Sequence, residues 1–170
     1  MDFLRSLGVG RVLVWTAAVL GAVHAGFSMF WALGGTWLLG TVGQWAVQLL
    51  KDSPVAAGIG LGVVAVVKVL AAVIPIAVEY DRVPGRVFWR RVSWVGGVGL
   101  VLYGGVNSGV SSAVLAGWIH SEGGYDQDSM VGHAYLWDPL FFLWGCALVG
   151  SLALTRKRSA FARGTMAPSQ

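Results

Sequence analysis

Four apolar stretches of membrane-spanning length constrain this chain more than any other feature. A helix needs about 20 consecutive, mostly apolar residues to cross about 30 Å of hydrocarbon. Stretches of that kind fall at about 12–33, 55–78, 92–118 and 131–154. They are continuous rather than alternating, and lipid offers the backbone no outside partner, so each reads as a helix. Only 12% of the 170 residues are charged, against about 25% in soluble domains, too few to solvate four such helices in water. The expected fold is an all-α integral membrane protein, a four-transmembrane-helix bundle forming one domain over 1–158. The remaining residues, 159–170, carry Ser, Gly, Pro and Gln with little to bury and are expected to be a disordered cytoplasmic tail.

The basic residues give the bundle a direction. Arg5 and Arg11 precede the first span; Arg82, Arg86, Arg90 and Arg91 separate the second from the third; Arg156, Lys157, Arg158 and Arg163 follow the fourth. The opposite loops hold only Lys51, and the 119–130 loop carries Glu122, Asp126 and Asp128 with no Lys or Arg. Basic residues collect on the cytoplasmic side, so both termini are expected there. These charges flank spans instead of forming one face, which points to topology and anionic lipid, not to nucleic acid. A cleaved signal peptide is the competing reading of the first span, with Val23-His24-Ala25 as the cleavage site. Against it, the apolar run continues through Phe27, Met29, Phe30, Trp31 and Leu33, beyond the length of a signal h-region.

Between the first two spans, Leu38, Val42, Trp45 and Leu49 recur at helical spacing, with Gln44, Gln48 and Lys51 opposite. The expectation is a short interfacial helix, or else an ordinary structured loop. Trp31, Trp37, Trp89, Trp94, Trp118 and Trp137 fall near span ends, where amphipathic rings favour the headgroup layer.

The 25 glycines make no nucleotide loop, because they lie inside apolar helices. Gly58–Gly62 and Gly105–Gly109 have the GxxxG spacing that lets helices approach closely. Packing within the chain is expected from them first, and homo-oligomerisation through the Gly-rich faces second. Cys146 is alone and reads as a small buried apolar residue. His120 and His133 flank the acidic loop without a recognised ligand spacing. Neither a metal nor a cofactor is expected.

The polar residues inside the spans are the functional signal, since such groups are expensive in hydrocarbon and face a bundle interior or a cavity. Ala17, Gly21, His24, Ser28 and Trp31 form one stripe of the first helix; Tyr103, Asn107 and Ser111 form one stripe of the third. His24 lies about 20 Å and Asn107 about 22 Å from the basic side at 1.5 Å per residue, and Asp138 stands on the same outer half of the fourth span. Three helices thus bring polar groups to one depth. Asp138 precedes Pro139, so it reads either as an N-cap with proline at the first helical position or as an acid in an apolar pocket. His24 and Asn107 read either as interhelical hydrogen-bond partners or as pocket groups. Lys68, near mid-depth of the second span, is expected to donate to the Ala71 carbonyl freed by Pro75, to titrate to neutral, to reach a carboxylate, or to snorkel.

The stretch HAGFSMFWALGGTWLL at 24–39, with LWDPLFFLWG at 136–145, resembles a family of small four-helix actinobacterial membrane proteins of unknown function. The likeness covers most of the chain and implies four spans, a multi-pass place in a bacterial plasma membrane, and no activity. GHAYLWDPLFFLW also looks similar to a Gly-His-aromatic run of the emopamil-binding, sterol-isomerase-like group, in which buried acids, His and Trp handle isoprenoid cations. The chain departs from that group in lacking a membrane-buried pair of glutamates.

Two function classes follow. In the first, the protein binds an isoprenoid-like or other lipid ligand, with proton-initiated isomerase or cyclase chemistry as its enzymatic form. Trp31, Tyr103, Trp137 and Trp144 would wall the pocket, Ser28, Ser111 and Lys68 would contact the ligand, and Asp138, His24 and Asn107 would act as acid, relay and orienting group. In the second, it is a non-catalytic accessory or small transport subunit. Membrane lipid or a hydrophobic small molecule is the expected partner in the first class.

Overall fold

The computed structural model describes the backbone of residues 2–120 and 123–164, and side chains within 7–120 and 123–155. The chain is helical throughout, with no strand among the described residues. Helix α1 (Asp2–Ala32) is followed by a short 3₁₀ turn (Leu39–Thr41), α2 (Gln44–Asp52), α3 (Pro54–Glu79) and α4 (Arg86–Leu115). A last rod comprises α5 (Gln127–Gly132), a π-helical turn (His133–Trp137) and α6 (Asp138–Gly164). Four segments are long and apolar enough to cross a membrane: Leu7–Ala32, Pro54–Glu79, Arg86–Leu115 and Gln127–Thr155.

The four segments form a bundle with unequal neighbours. Helix α1 packs along both α3 and α6, and α4 packs along α6, whereas α3 and α4 barely meet. The spans of α1 and α6 are accordingly 39% and 44% buried, and those of α3 and α4 only 22% and 17%. A seam therefore opens between α3 and α4, floored by α6. The α4–α6 contact is backbone against backbone. A Cβ at Gly104 would fall 2.5 Å from the Asp138 carbonyl oxygen and the Phe142 nitrogen. Small residues permit this approach, which lipid does not otherwise drive. The expected GxxxG pairs are used only by halves: Gly58 abuts the Ala32 carbonyl and Gly105 the Phe142 ring, while Gly62 and Gly109 face open space.

The two ends of the bundle are tied differently. At the Arg-rich end, Arg90 donates to Thr155 Oγ1 at 3.0 Å and to the Leu152 carbonyl at 2.8 Å, and Ser151 Oγ donates to the Gly10 carbonyl at 2.7 Å. At the other end, Trp31 Nε1 donates to the Trp37 carbonyl at 2.9 Å, and Trp137 Nε1 to Thr41 Oγ1 at 3.0 Å. Aromatic rings fill this end, with Trp31 and Trp137 edge to face at 5.2 Å and Phe27 beside Trp137 at 5.0 Å.

Several expectations need correction. Trp31 and Trp137 are buried, 5% and 3% exposed, unlike the exposed Trp37 and Trp118; hydrogen bonds to the 36–41 segment account for both indoles. Leu38 and Val42 lie outside α2, and Leu38 has a left-handed φ of 61°. The helix turns Ala46, Val47 and Leu50 to the protein and Trp45 and Leu49 outward. Cys146 is exposed on the bundle surface instead of buried, because the buried face of α6 is taken by Trp144, Ala147, Leu148 and Ser151. Helix α6 runs to Gly164, beyond the apolar span expected to end near Leu154, in keeping with the helix formers Ala160, Ala162 and Arg163. Residues 165–170 of the expected tail lie outside the described residues.

Candidate functional site

Asp138 is the first residue of α6 but caps no helix end. Its backbone is helical (φ −76°, ψ −36°) and continues a rod that begins about 16 Å earlier, at Gln127, at 1.5 Å per residue. The N-cap is Asp126, whose Oδ1 accepts from the Ser129 amide at 3.4 Å. The capping reading of Asp138 is therefore wrong, and the Asp-Pro pair has another consequence. Pro139 brings no N–H to the ladder, and the rod passes this point through a π turn over His133–Trp137, a device found often at functional sites.

The π turn decides which side chains meet. In an α-helix, residues five apart point about 140° away from each other. Widening the turn brings His133 over Asp138, with Nδ1 2.8 Å from Oδ2. The other ring nitrogen, Nε2, lies 3.2 Å from the Val42 carbonyl. A carbonyl only accepts, so Nε2 carries a hydrogen, and the Nδ1–Oδ2 bond requires one more. The dyad thus holds one shared proton, as imidazolium with carboxylate or as imidazole with carboxylic acid. Asp138 is 1% exposed, and its second oxygen, Oδ1, has no protein partner. A buried polar atom left without a bond costs about 1–3 kcal/mol.

A second group approaches from α1. His24 Nε2 donates to the Trp137 carbonyl at 3.1 Å, and its ring stacks on Phe141 with centroids 3.8 Å apart. Ser28, one turn on, donates back to the His24 carbonyl at 3.2 Å and accepts from Lys68 Nζ at 2.9 Å. Lys68 Nζ also stands 5.3 Å from the Phe141 ring centroid, within cation–π range. None of the partners expected for Lys68 is the one found. Among the described residues it neither reaches a carboxylate nor turns back to the Ala71 carbonyl, but bonds a hydroxyl across the bundle.

These groups surround one cavity of about 350 Å³ in the half of the bundle away from the Arg-rich end. Helix α1 contributes His24 and Trp31; α3 contributes Lys68, and α4 contributes Tyr103. The last rod supplies His133, Trp137, Asp138 and Phe141, and the segment around α2 closes the mouth with Val42 and Trp45. Tyr103, 53% exposed, meets Phe141 edge to face at 5.6 Å. Six of the residues singled out in the sequence therefore line the cavity: His24, Trp31, Lys68, Tyr103, Trp137 and Asp138. Ser28 acts behind Lys68, and Trp144 lies one turn below Phe141, its ring stacked at 6.3 Å. Asn107 and Ser111 do not line the cavity.

Sequence reasoning missed His133 and Phe141. His133 stood with the acidic loop on spacing alone, and only the π turn carries it to Asp138. The Asp-Pro dipeptide deep in an apolar run was the available signal. Phe141 read as one more apolar residue, although i+3 from Asp138 it shares a face with it.

A family model described as "Protein of unknown function (DUF3995)" matches residues 8–148, most of the chain and every residue of the cavity. No curated protein and no solved structure matches it. The likeness to the sterol-isomerase group finds no support in these comparisons.

Proposed function

The chain belongs to that family, whose description states no activity, and we propose that it holds an amphiphilic lipid of isoprenoid type by its polar end in the outer-half cavity. The observation that carries this reading is Asp138: a buried carboxyl group lining the cavity, with one oxygen committed to His133 and the other without a hydrogen-bond partner. Buried polar groups are normally satisfied, and a hydroxyl on a lipid supplies the missing donor. Lys68, Tyr103 and His24 offer further polar contacts, and the faces of Phe141, Trp31 and Trp137 offer aromatic walls for an unsaturated chain. In this reading the protein is multi-pass in a bacterial plasma membrane with both termini cytoplasmic.

The proton count of the dyad favours a second, enzymatic reading. The His133–Asp138 pair passes a proton to one carbon of a double bond, leaving a carbocation that aromatic faces stabilise. Loss of a proton to His24 Nδ1 from the carbon on the other side of the cationic centre then gives the shifted alkene, and that proton returns to the dyad. His24 suits this role because Nε2–H is held by the Trp137 carbonyl, which leaves Nδ1 as the acceptor.

Native mass spectrometry of protein purified from its own membrane, followed by lipid extraction, tests the binding reading. A discrete adduct is expected on the parent and absent from Asp138→Leu, which removes the acceptor. Equal adducts on both, or bulk phospholipid alone on the parent, would contradict it and leave the accessory or transport-subunit reading in place.

A further inference from the structure

The polar cavity stops at Phe141, and a second one begins a turn beyond it. Directly toward the Arg-rich end lies a second cavity of about 110 Å³ between α3 and α4, lined almost wholly by apolar groups. The two are in register on three helices at once. Lys68 gives way to Ala71 on α3, Tyr103 to Leu100 on α4, and Phe141 to Trp144 on α6. Each step is three residues, about 4.5 Å along the axis. The second cavity occupies the seam that the weak α3–α4 contact leaves open, and Ser93 is the one side chain in it with a hydroxyl. Two successive cavities, the first polar and the second apolar one turn below it along the α3–α4 seam, have the layout of a site for an amphiphile.

The geometry points to a single-chain amphiphile that enters sideways from the bilayer between α3 and α4, laying its hydrocarbon tail over Trp144 in the seam while its polar end reaches Asp138. This inference rests on the proposed reading of the outer cavity and adds the route of entry, the seat of the tail and the one-chain character of the ligand. Because lipid is as apolar as the seam, the tail gains shape fit and not a hydrophobic drive. Selectivity would thus come from the width of the seam.

Gly96 offers a plug. It lines the seam, and a Cβ placed on it meets nothing within 4 Å. Ala71, exposed on the facing wall, is a second position. Gly99 also has open surroundings but lies outside the seam and serves as control. The probe is a farnesol analogue with a diazirine at the end of its chain, photolysed on full-length protein in lipid nanodiscs, with adducts mapped by peptide mass spectrometry. Adducts are expected within 71–75 and 89–100, competed by unlabelled farnesol. They should fall at least fivefold in Gly96→Leu and in Ala71→Phe but not in Gly99→Leu. Adducts spread evenly over lipid-facing residues, or unchanged in both plugged variants, would overturn the inference. Seam adducts that persist undiminished in Asp138→Leu would instead sink the polar-end reading while sparing the seam.

Discussion

His133 and Asp138 stand five residues apart on one helical rod, yet Nδ1 of the first lies 2.8 Å from Oδ2 of the second. The π turn between them makes that contact, and the contact leaves Oδ1 as the carboxyl oxygen without a partner. The geometry separates two roles for Asp138 that sequence alone leaves entangled.

A helix cap tolerates Asp, Asn and Ser nearly equally. The dyad does not. Asp138→Asn keeps a group that reaches His133 and is expected to leave thermal stability close to the parent. Asp138→Ser is too short and strands His133 Nδ1, at a cost of about 1–3 kcal/mol. Thermal unfolding in detergent reads the difference, and equal midpoints for the two variants would argue for a cap after all.

Lys68 is expected to matter for ligand and not for folding. Its one hydrogen-bond partner among the described side chains, the Ser28 hydroxyl, also donates to the His24 carbonyl and keeps that bond without the lysine. Removing a charge from mid-membrane also relieves a cost of at least about 2.5 kcal/mol by insertion scales. Lys68→Met should therefore unfold no earlier than the parent while retaining less co-purified lipid. A marked drop in melting temperature would show that the lysine holds the helices together.

The architecture was legible in advance because it depends on quantities that a sequence displays: the length of the apolar runs and the charges that bound them. Part of the site was legible for the same reason, since His24, Lys68 and Asp138 are costly where they stand. What stayed hidden depends on backbone detail. Nothing in periodicity places His133 over Asp138, because a period of 3.6 sends them apart and the π turn is invisible to it. Asn107 and Ser111 share the Tyr103 stripe but lie outside the cavity, so a common face did not imply a common site. Trp31 and Trp137 looked interfacial because indole placement near a span end says nothing about which way the ring turns.

The glycines make a sharper prediction than the GxxxG pattern did. Gly104→Ala pushes a methyl against the Asp138 carbonyl and the Phe142 amide, and overpacking of this kind costs about 1–3 kcal/mol or more. Gly62→Ala meets open space and should be neutral or slightly stabilising, since alanine favours helix. Unfolding midpoints of the two variants should differ in that order. The opposite order would mean that Gly62 faces a second copy of the chain.

Topology is checked by labelling single cysteines in a background where Cys146 is replaced by Ala. Sites within 80–85 should resist an impermeant thiol reagent in intact cells, and sites within 124–128 should react. Reversed labelling would put the cavity in the cytoplasmic half of the membrane and change where its ligand comes from.

The central claim is that Asp138 Oδ1 waits for a donor from the ligand, and infrared difference spectroscopy reads that atom. Spectra of the protein in nanodiscs, with and without saturating farnesol, are compared for the parent and for Asp138→Asn. A shift in one carboxyl band on adding farnesol, missing from the Asn variant, is the expected result. Saturable binding that leaves every carboxyl band in place would contradict the account.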